Sequence, residues 1–274
     1  MIKRVFKNLT VLTGDVPDAS SQLERDGYAV ITGVFDPATV DEIRLEIDGV
    51  FATSEPERSR SDATEFRYEM LNRSAACQAA LAHPKILEVI EPLLGEDCHV
   101  IANTAWRNPP DFKGGPWHSD AGPHVPRPEG IEWDDRIPYP VFAIGAHLYL
   151  EDCTLADGPT AVVPGSHRSG RLAPFDQLWN ESLSCDGRAP AVLTARAGDV
   201  AMFVSDGWHR GLPASGGSGR DFLQVHYARR DIAQRVRTTD VANQLSDAAI
   251  ARARAGTERE QQLVGLHAPF FYDG

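Results

Sequence analysis

A histidine and a carboxylate one residue apart, in His118-Ser119-Asp120, are followed far downstream by a second histidine, His209, and by an arginine, Arg220. Two neutral imidazoles and one carboxylate on one face of a metal ion leave the opposite face open, the arrangement expected of a non-haem Fe(II) site that activates oxygen. The arginine would then hold an acidic co-substrate. If His118 and Asp120 lie on a strand, both side chains point to one face and can chelate one ion, while Ser119 points away. Three ligand types in this order seldom coincide, whereas a lone histidine in a β-rich protein is more often structural or solvated. His83, His99, His147, His226 and His267 are read in that second way, and His167 as closing a Pro-Gly-Ser-His turn.

The elements that must position these residues follow from the pattern. Residues 19–26 read as a short amphipathic helix and 27–35 as a β-rich run bounded by glycine. Asp36-Pro37 starts a helix in which Val40, Ile43, Ile47 and Val50 recur at three- and four-residue steps, giving one buried face. Residues 53–64 are polar and read as a mobile loop, and a helical stretch over 75–94 should break at Pro84. From Cys98 onward, short β-rich runs at 99–106, 141–150, 160–163, 191–194, 199–204 and 222–227 are separated by Gly and Pro, as in an all-β sandwich or barrel. Between two of them, residues 121–140, rich in Pro and Asp and containing His124 and Trp133, are long enough to form a lid. Residues 240–266 return to helix. A turn containing Pro213, Gly216, Gly217 and Gly219 links His209 to Arg220, so the flanking strands are expected to pair as a hairpin that returns Arg220 to the metal.

Three segments carry a resemblance to a known family: Trp117-His118-Ser119-Asp120; Asp157-Gly158-Pro159-Thr160 through Pro164-Gly165-Ser166-His167; and Gly198-Asp199-Val200 through His209 to Arg220. With the opening Asp26-Gly27-Tyr28-Ala29-Val30-Ile31, they resemble the phytanoyl-CoA dioxygenase-like branch of the Fe(II)/2-oxoglutarate dioxygenases over most of residues 20–230. The resemblance implies a mainly β fold with flanking helices, a double-stranded β-helix or jelly roll. One domain would span 1–274: helical support over 1–97, a core over 98–230 with a lid at 121–140, and a helical segment over 231–274. It further implies Fe(II) on His118, Asp120 and His209, 2-oxoglutarate chelating that iron, and O2 at the remaining position. Arg220 would pair with the far carboxylate, which suits the planar fork of a guanidinium, and Thr160 would donate a further hydrogen bond.

The implied reaction is oxidative decarboxylation to succinate and carbon dioxide, coupled to hydroxylation of an unactivated C–H. Related halogenases replace the carboxylate with a small residue, so retention of Asp120 points to oxygenation. Desaturation, cyclisation and epimerisation use the same triad. Two positions depart from the family pattern: Gly211 stands where many relatives have serine, and Asn108 precedes Pro109-Pro110 where many have lysine. Arg107 is then left to take over part of the charge role. Arg107, Lys113 and Trp117 are the further candidates for substrate contact. A solvated surface competes for the two cations and for Arg67, and packing that keeps the site dry competes for Trp117 and Trp208.

Composition narrows the classes. A chain of 274 residues with 42% apolar content can bury a full core, and its 39 acidic against 27 basic side chains, net −12, disfavour binding a polyanion such as nucleic acid. No stretch is apolar enough to span a bilayer, the first ten residues lack an apolar signal core, and the last five carry no peroxisomal address. The expectation is a cytoplasmic enzyme of undetermined oligomeric state acting on a small molecule, such as a natural-product intermediate or modified amino acid. An acyl-CoA would call for a basic surface. Cys77, Cys98, Cys153 and Cys185 have no zinc-ribbon spacing and read as free buried thiols, with disulfide pairing left open. Two other classes stand beside the oxygenase. A jelly-roll hydrolase or isomerase using zinc or another divalent ion has no use for Arg220, and a degenerate binding module would not need an intact triad.

Overall fold

The computed structural model describes residues 18–55, 57–58, 64–134, 136–234 and 245–268. Helix α1 (Asp18–Asp26) leads into β1 (Tyr28–Ile31), and Asp36 caps α2 (Pro37–Thr53) by accepting from the Thr39 amide at 2.8 Å. Val40, Ile43 and Ile47 are buried, as their spacing required. Within the polar stretch read as a mobile loop, β2 (Glu57–Arg58) pairs with an unforeseen β3 (Glu65–Tyr68); residues 56 and 59–63 lie outside the described ones. Three helices follow, α3 (Met70–Arg73), α4 (Ala75–Ala80) and α5 (Pro84–Leu94), with the break at Pro84 where ring sterics require it. The β region contains β4 (His99–Asn108), β5 (Ala143–Tyr149), β6 (Thr160–Val162), β7 (Ala191–Leu193), β8 (Val200–Val204), β9 (His209–Gly211) and β10 (Arg220–Ala228). After it come α6 (Asp247–Ala255) and α7 (Glu258–Leu263); the start of the helical stretch expected from 240 lies outside the described residues.

The strands form an antiparallel seven-stranded sheet in the order β1-β8-β5-β10-β4-β3-β2 and a three-stranded sheet in the order β7-β6-β9. Alternation along β10 sorts the large sheet into two faces. Leu223, Val225 and Tyr227 join Ile144, Ala146, Leu148, Val200, Met202 and Val204 in the main core, which also takes in the helices. The intervening residues, Arg220, Phe222, Gln224 and His226, face the other way with His147, Tyr149 and Phe203. Tyr149, Phe203, Val162 and Leu193 form a second cluster between the two sheets. The jelly-roll interior therefore presents polar and aromatic side chains from β5, β8 and β10 toward the small sheet.

The expected hairpin is corrected. β9 pairs with β6 in the small sheet, Val162 opposite His209, while β10 lies between β5 and β4 in the large one. The connection crosses between sheets because His209 is held by β6 and His118 on one side, and Arg220 by Asn108 on the other. Arg220 still comes back toward His209, but across the sandwich and not along a shared edge. Cys77, Cys98, Cys153 and Cys185 are all buried and free.

Candidate metal centre and carboxylate pocket

His118 is carried on an extended loop and not on a regular strand. It is held by a two-way backbone bridge to His209, His118 N to His209 O at 3.0 Å and His209 N to His118 O at 2.9 Å. The Asp120 amide then donates to Ser205 O at 3.1 Å, and the Ser119 hydroxyl turns to Asp206 O at 3.1 Å. Facing ligand atoms of His118, Asp120 and His209 lie within 4.8 Å of one another.

Carbonyl oxygens fix the ring tautomers, since they can only accept. His118 Nδ1 donates to Pro116 O at 2.9 Å and His209 Nδ1 to Gly207 O at 3.0 Å, so both Nε2 lone pairs remain for the centre. Asp120 Oδ1 sits 3.4 Å from His209 Nε2 and 3.8 Å from His118 Nε2, while His226 Nε2 donates to Oδ2 at 2.8 Å. Burial alone would raise the Asp120 pKa, but the His209 and His226 imidazoles hold it well below the usual carboxylate range. Burial pulls His209 down, yet the neighbouring Asp120 carboxylate wins and raises it. His118 is lowered, by burial and then by His209. Two imidazole lone pairs and one ionised carboxylate, with His118 at the exposed edge, form a donor set that fits a divalent transition metal with open positions.

Arg220 is 4% exposed and donates through Nη1 to the Thr160 hydroxyl at 2.8 Å, yet its buried Nε has no hydrogen-bond partner. An unpaired buried guanidinium donor is costly, and a carboxylate entering the pocket would satisfy it. The polarity of this pocket follows from a chain of donors. Trp106 Nε1, which can only donate, binds Gln224 Oε1 at 2.8 Å. That turns the Gln224 amide nitrogen toward His147 Nε2 at 3.4 Å, making this ring nitrogen the acceptor. His147 Nδ1 then carries the proton and donates to Thr160 Oγ1 at 3.3 Å. With His147 and Arg220 on its lone pairs, the Thr160 hydroxyl keeps its own proton to donate, to the adjacent Tyr149 oxygen or to an incoming acceptor. Burial, reinforced by the Arg220 charge, holds His147 neutral with a pKa well below the usual imidazole value.

The departure at Gly211 has a steric cause. A Cβ there would stand 2.9 Å from Phe112 Cε1 and 3.1 Å from Arg220 Nη2, so the Phe112 ring takes space a serine would need. Asn108 is buried opposite Arg220 in the β4–β10 register.

Three candidates are not brought to this pocket. Arg107 lies on the opposite face of β4, paired with Asp48 at 2.6 Å and Asp221 at 2.9 Å, so it does not take over a charge role beside Arg220. Lys113 is exposed, 3.9 Å from Asp111. Trp117 is 1% exposed, with its indole donating to Asn180 O at 2.7 Å, and packs beneath the small sheet with Trp208. In the 121–140 segment, His124 binds Asp206 and stacks on Phe142, while Trp133 packs on Tyr139. Sequence reasoning missed His226, His147 and Gln224; the period-two alternation from Arg220 to His226 was the signal that could have found two of them.

Comparison with known proteins identifies the family and the fold. A family model described as phytanoyl-CoA dioxygenase (PhyH) matches residues 23–222. The ectoine dioxygenase of Nocardia farcinica is 28% identical over 158 residues, 54% of this chain and 50% of that protein. The L-proline trans-4-hydroxylase of Streptomyces griseoviridis is 25% identical over 157 residues, 56% of each. The chain thus spans about half the length of the curated relatives it matches. The crystal structure of the epimerase SnoN in complex with Fe3+, α-ketoglutarate and nogalamycin RO aligns with a TM-score of 0.64 at 20% identity, over 82% of this chain and 91% of that one. HygX from Streptomyces hygroscopicus, with nickel, 2-oxoglutarate and hygromycin B bound, aligns at 0.61 and 16% identity, over 81% and 89%. These structural likenesses establish the jelly-roll fold, and the family match covers most of the chain. With that model matched over residues 23–222, the chain belongs to the phytanoyl-CoA dioxygenase family.

Proposed function

We propose that the protein is an Fe(II)- and 2-oxoglutarate-dependent oxygenase that hydroxylates an unactivated C–H of a small organic molecule. The observation that carries this reading is the buried, unpartnered Arg220 Nε beside the Thr160 hydroxyl, on the interior that also holds the triad. A metal-only hydrolase or isomerase has no task for that donor. His118, Asp120 and His209 would hold the iron, and Arg220 with Thr160 the far carboxylate of 2-oxoglutarate. The bound pair supplies an oxidant from O2, with release of succinate and carbon dioxide.

The chain's own groups do the positioning. Backbone carbonyls of Pro116 and Gly207 fix both imidazole orientations, and His226 holds one oxygen of Asp120 so that the other faces the centre. The Phe203 ring, 4.3 Å from His209, and the buried Phe222 dry the interior, which strengthens the Arg220 interaction with an anion. A small-molecule substrate in the cytoplasm is part of the proposal, supported by the dioxygenase and hydroxylase relatives and by four free thiols. Among the described residues no helix is long and apolar enough to cross a membrane.

Anaerobic titration with Fe(II) and 2-oxoglutarate tests the reading through the metal-to-ligand charge-transfer band. The wild type should develop it, His209→Ala should not, and Arg220→Gln should require far more 2-oxoglutarate. No band in the wild type, or an unchanged band in His209→Ala, defeats the oxygenase. Product analysis across a substrate panel then separates hydroxylation from desaturation, cyclisation and epimerisation.

A further inference from the structure

Strand β3 distributes its side chains against the usual order of burial. Arg67 is 1% exposed on the face turned to the helices, where it donates through Nε to Ser54 Oγ at 2.8 Å, approaches Glu65 at 3.7 Å and lies 4.3 Å from the centre of the Phe51 ring in α2. Phe66 and Tyr68, on the other face, are only half-buried. Its neighbour β4 repeats the inversion. Arg107 lies over the same Phe51 ring at 4.4 Å, while Trp106 points to the opposite side and is half-buried. Large rings are ordinarily buried and long cations exposed, so packing alone does not account for rings left open while an arginine is enclosed.

The register places these rings on the side of the metal centre. Phe66 pairs with Trp106 and Trp106 with Phe222, which shares the inward face of β10 with Arg220, Gln224 and His226. Ring centres follow one another at 5.1 Å from Tyr68 to Phe66, 4.8 Å to Trp106, 6.3 Å to Phe222 and 4.4 Å to His147. One aromatic row therefore runs from the carboxylate pocket, where Phe222 and His147 are buried, out to β3, where it is accessible. Three strands cannot roof all seven of the large sheet, and β3 lies next to its edge strand β2. Ala102 stands opposite His226 and Thr104 opposite Gln224, so small side chains leave room between the row and the metal centre.

The chemistry of this face is neutral. Thr104, Asn108 and Gln224 offer hydrogen bonds beside the rings, whereas Glu65, Arg67, Arg107 and Asp221 project to the other side. Among the described residues of β3, β4 and β10, Arg220 is the one arginine, lysine or carboxylate turned inward, and it belongs to the carboxylate pocket. Rings receive another ring by offset stacking or edge-on contact. The phosphates of an acyl-CoA, or the two charges of a free amino acid, would lose water here without meeting a counter-charge.

We propose that this aromatic row is the binding surface for the substrate, and that the substrate is an uncharged molecule bearing a flat ring system. The role of that molecule as substrate rests on the oxygenase reading, but the surface itself requires no metal.

Calorimetric titration of the metal-free full chain tests it with three probes: N-acetyltryptophan amide, a neutral ring; N-acetyltryptophan, the same ring with a carboxylate; and tetramethylammonium, a cation that aromatic groups also attract. The amide should bind saturably, and about fivefold or more tighter than either charged probe. Phe66→Leu and Tyr68→Leu keep apolar bulk but remove a ring, and each should weaken the amide by about fivefold or more, with circular dichroism native. Phe66→Tyr, which keeps a ring, and Phe175→Leu, which alters an exposed ring ahead of β7, should stay within about twofold of the wild type. The proposal is overturned if the amide does not saturate up to about 10 mM. It is overturned equally if a charged probe binds as well as the amide, if both leucine variants bind like the wild type, or if Phe175→Leu or Phe66→Tyr falls as far as they do. Failure of the oxygenase reading would appear instead in the charge-transfer band, which this titration does not use.

Discussion

The two oxygens of Asp120 have different tasks. Oδ2 accepts from His226 at 2.8 Å, leaving Oδ1 toward His209 and His118. Removing the donor lets the carboxylate turn, so His226→Phe should lower Fe(II) affinity by about 10–100-fold while circular dichroism stays native. Metal titration with the variant decides this, and an unchanged affinity would remove His226 from any positioning role. In the proposed carboxylate pocket the Thr160 hydroxyl proton, aimed by His147, is the donor to test. His147→Phe keeps the ring packing against Phe203 but deletes the Nδ1 donor, and should raise the 2-oxoglutarate dissociation constant by about tenfold. Anaerobic titration at saturating Fe(II) measures it. The convergence of His118, Asp120 and His209 was legible because metal-binding chemistry resides in residue type and order. His226 and His147 were not, because each is a lone histidine held by a residue far along the chain, Asp120 for His226 at a separation of 106 and Gln224 for His147 at 77, and the nearer Thr160 meets His147 only across the two sheets.

At the scale of elements, residues 121–140 form neither helix nor strand over the described part, yet they are tied down near both ends of that part. The His124 amide donates to Asp206 Oδ2 at 2.9 Å and its ring binds Oδ1, while Trp133 donates to Ile137 O and packs edge-on against Tyr139. Asp206 lies three residues before the candidate ligand His209, so this tether joins the long loop to the mouth of the jelly roll. His124→Ala should speed backbone exchange over 121–134 while Fe(II) affinity stays within about twofold, because the bridge between His118 and His209 is untouched. Exchange mass spectrometry checks the first half and metal titration the second. Helices and most core strands were readable here, since Val40, Ile43 and Ile47 keep a helical period and β10 keeps a period of two. The pairing of β9 was not. Sequence proximity to β10 suggests a hairpin, whereas its partners β6 and His118 are chosen by the sandwich as a whole.

At the scale of the whole molecule, His167 joins the layers. It is 1% exposed in the turn after β6, and its Nε2 donates to Glu24 O of α1 at 2.9 Å. Burial lowers its pKa to about 4 from the ordinary 6.5, so it is neutral when folded and protonated when unfolded between those values. The unfolded chain then binds more protons, and stability must rise with pH across this window. Acidification from pH 7 to 4 should cost about 3 kcal/mol through this group, with buried His147 acting in the same direction. Urea midpoints in that range measure the slope. His167→Gln should flatten it, and an equal slope in the variant would assign the acid sensitivity elsewhere. The four buried cysteines have a consequence of another kind. Burial pushes Cys77 and Cys98 up to about 12 and Cys153 and Cys185 to about 11, so at neutral pH all four are thiols and none is a thiolate. Sulfenylation and mixed-disulfide formation begin with the thiolate. If the proposed oxygenase reacts with oxygen in the absence of substrate, these four cysteines offer it no thiolate to oxidise, so idle turnover should leave all four as titratable thiols on unfolding.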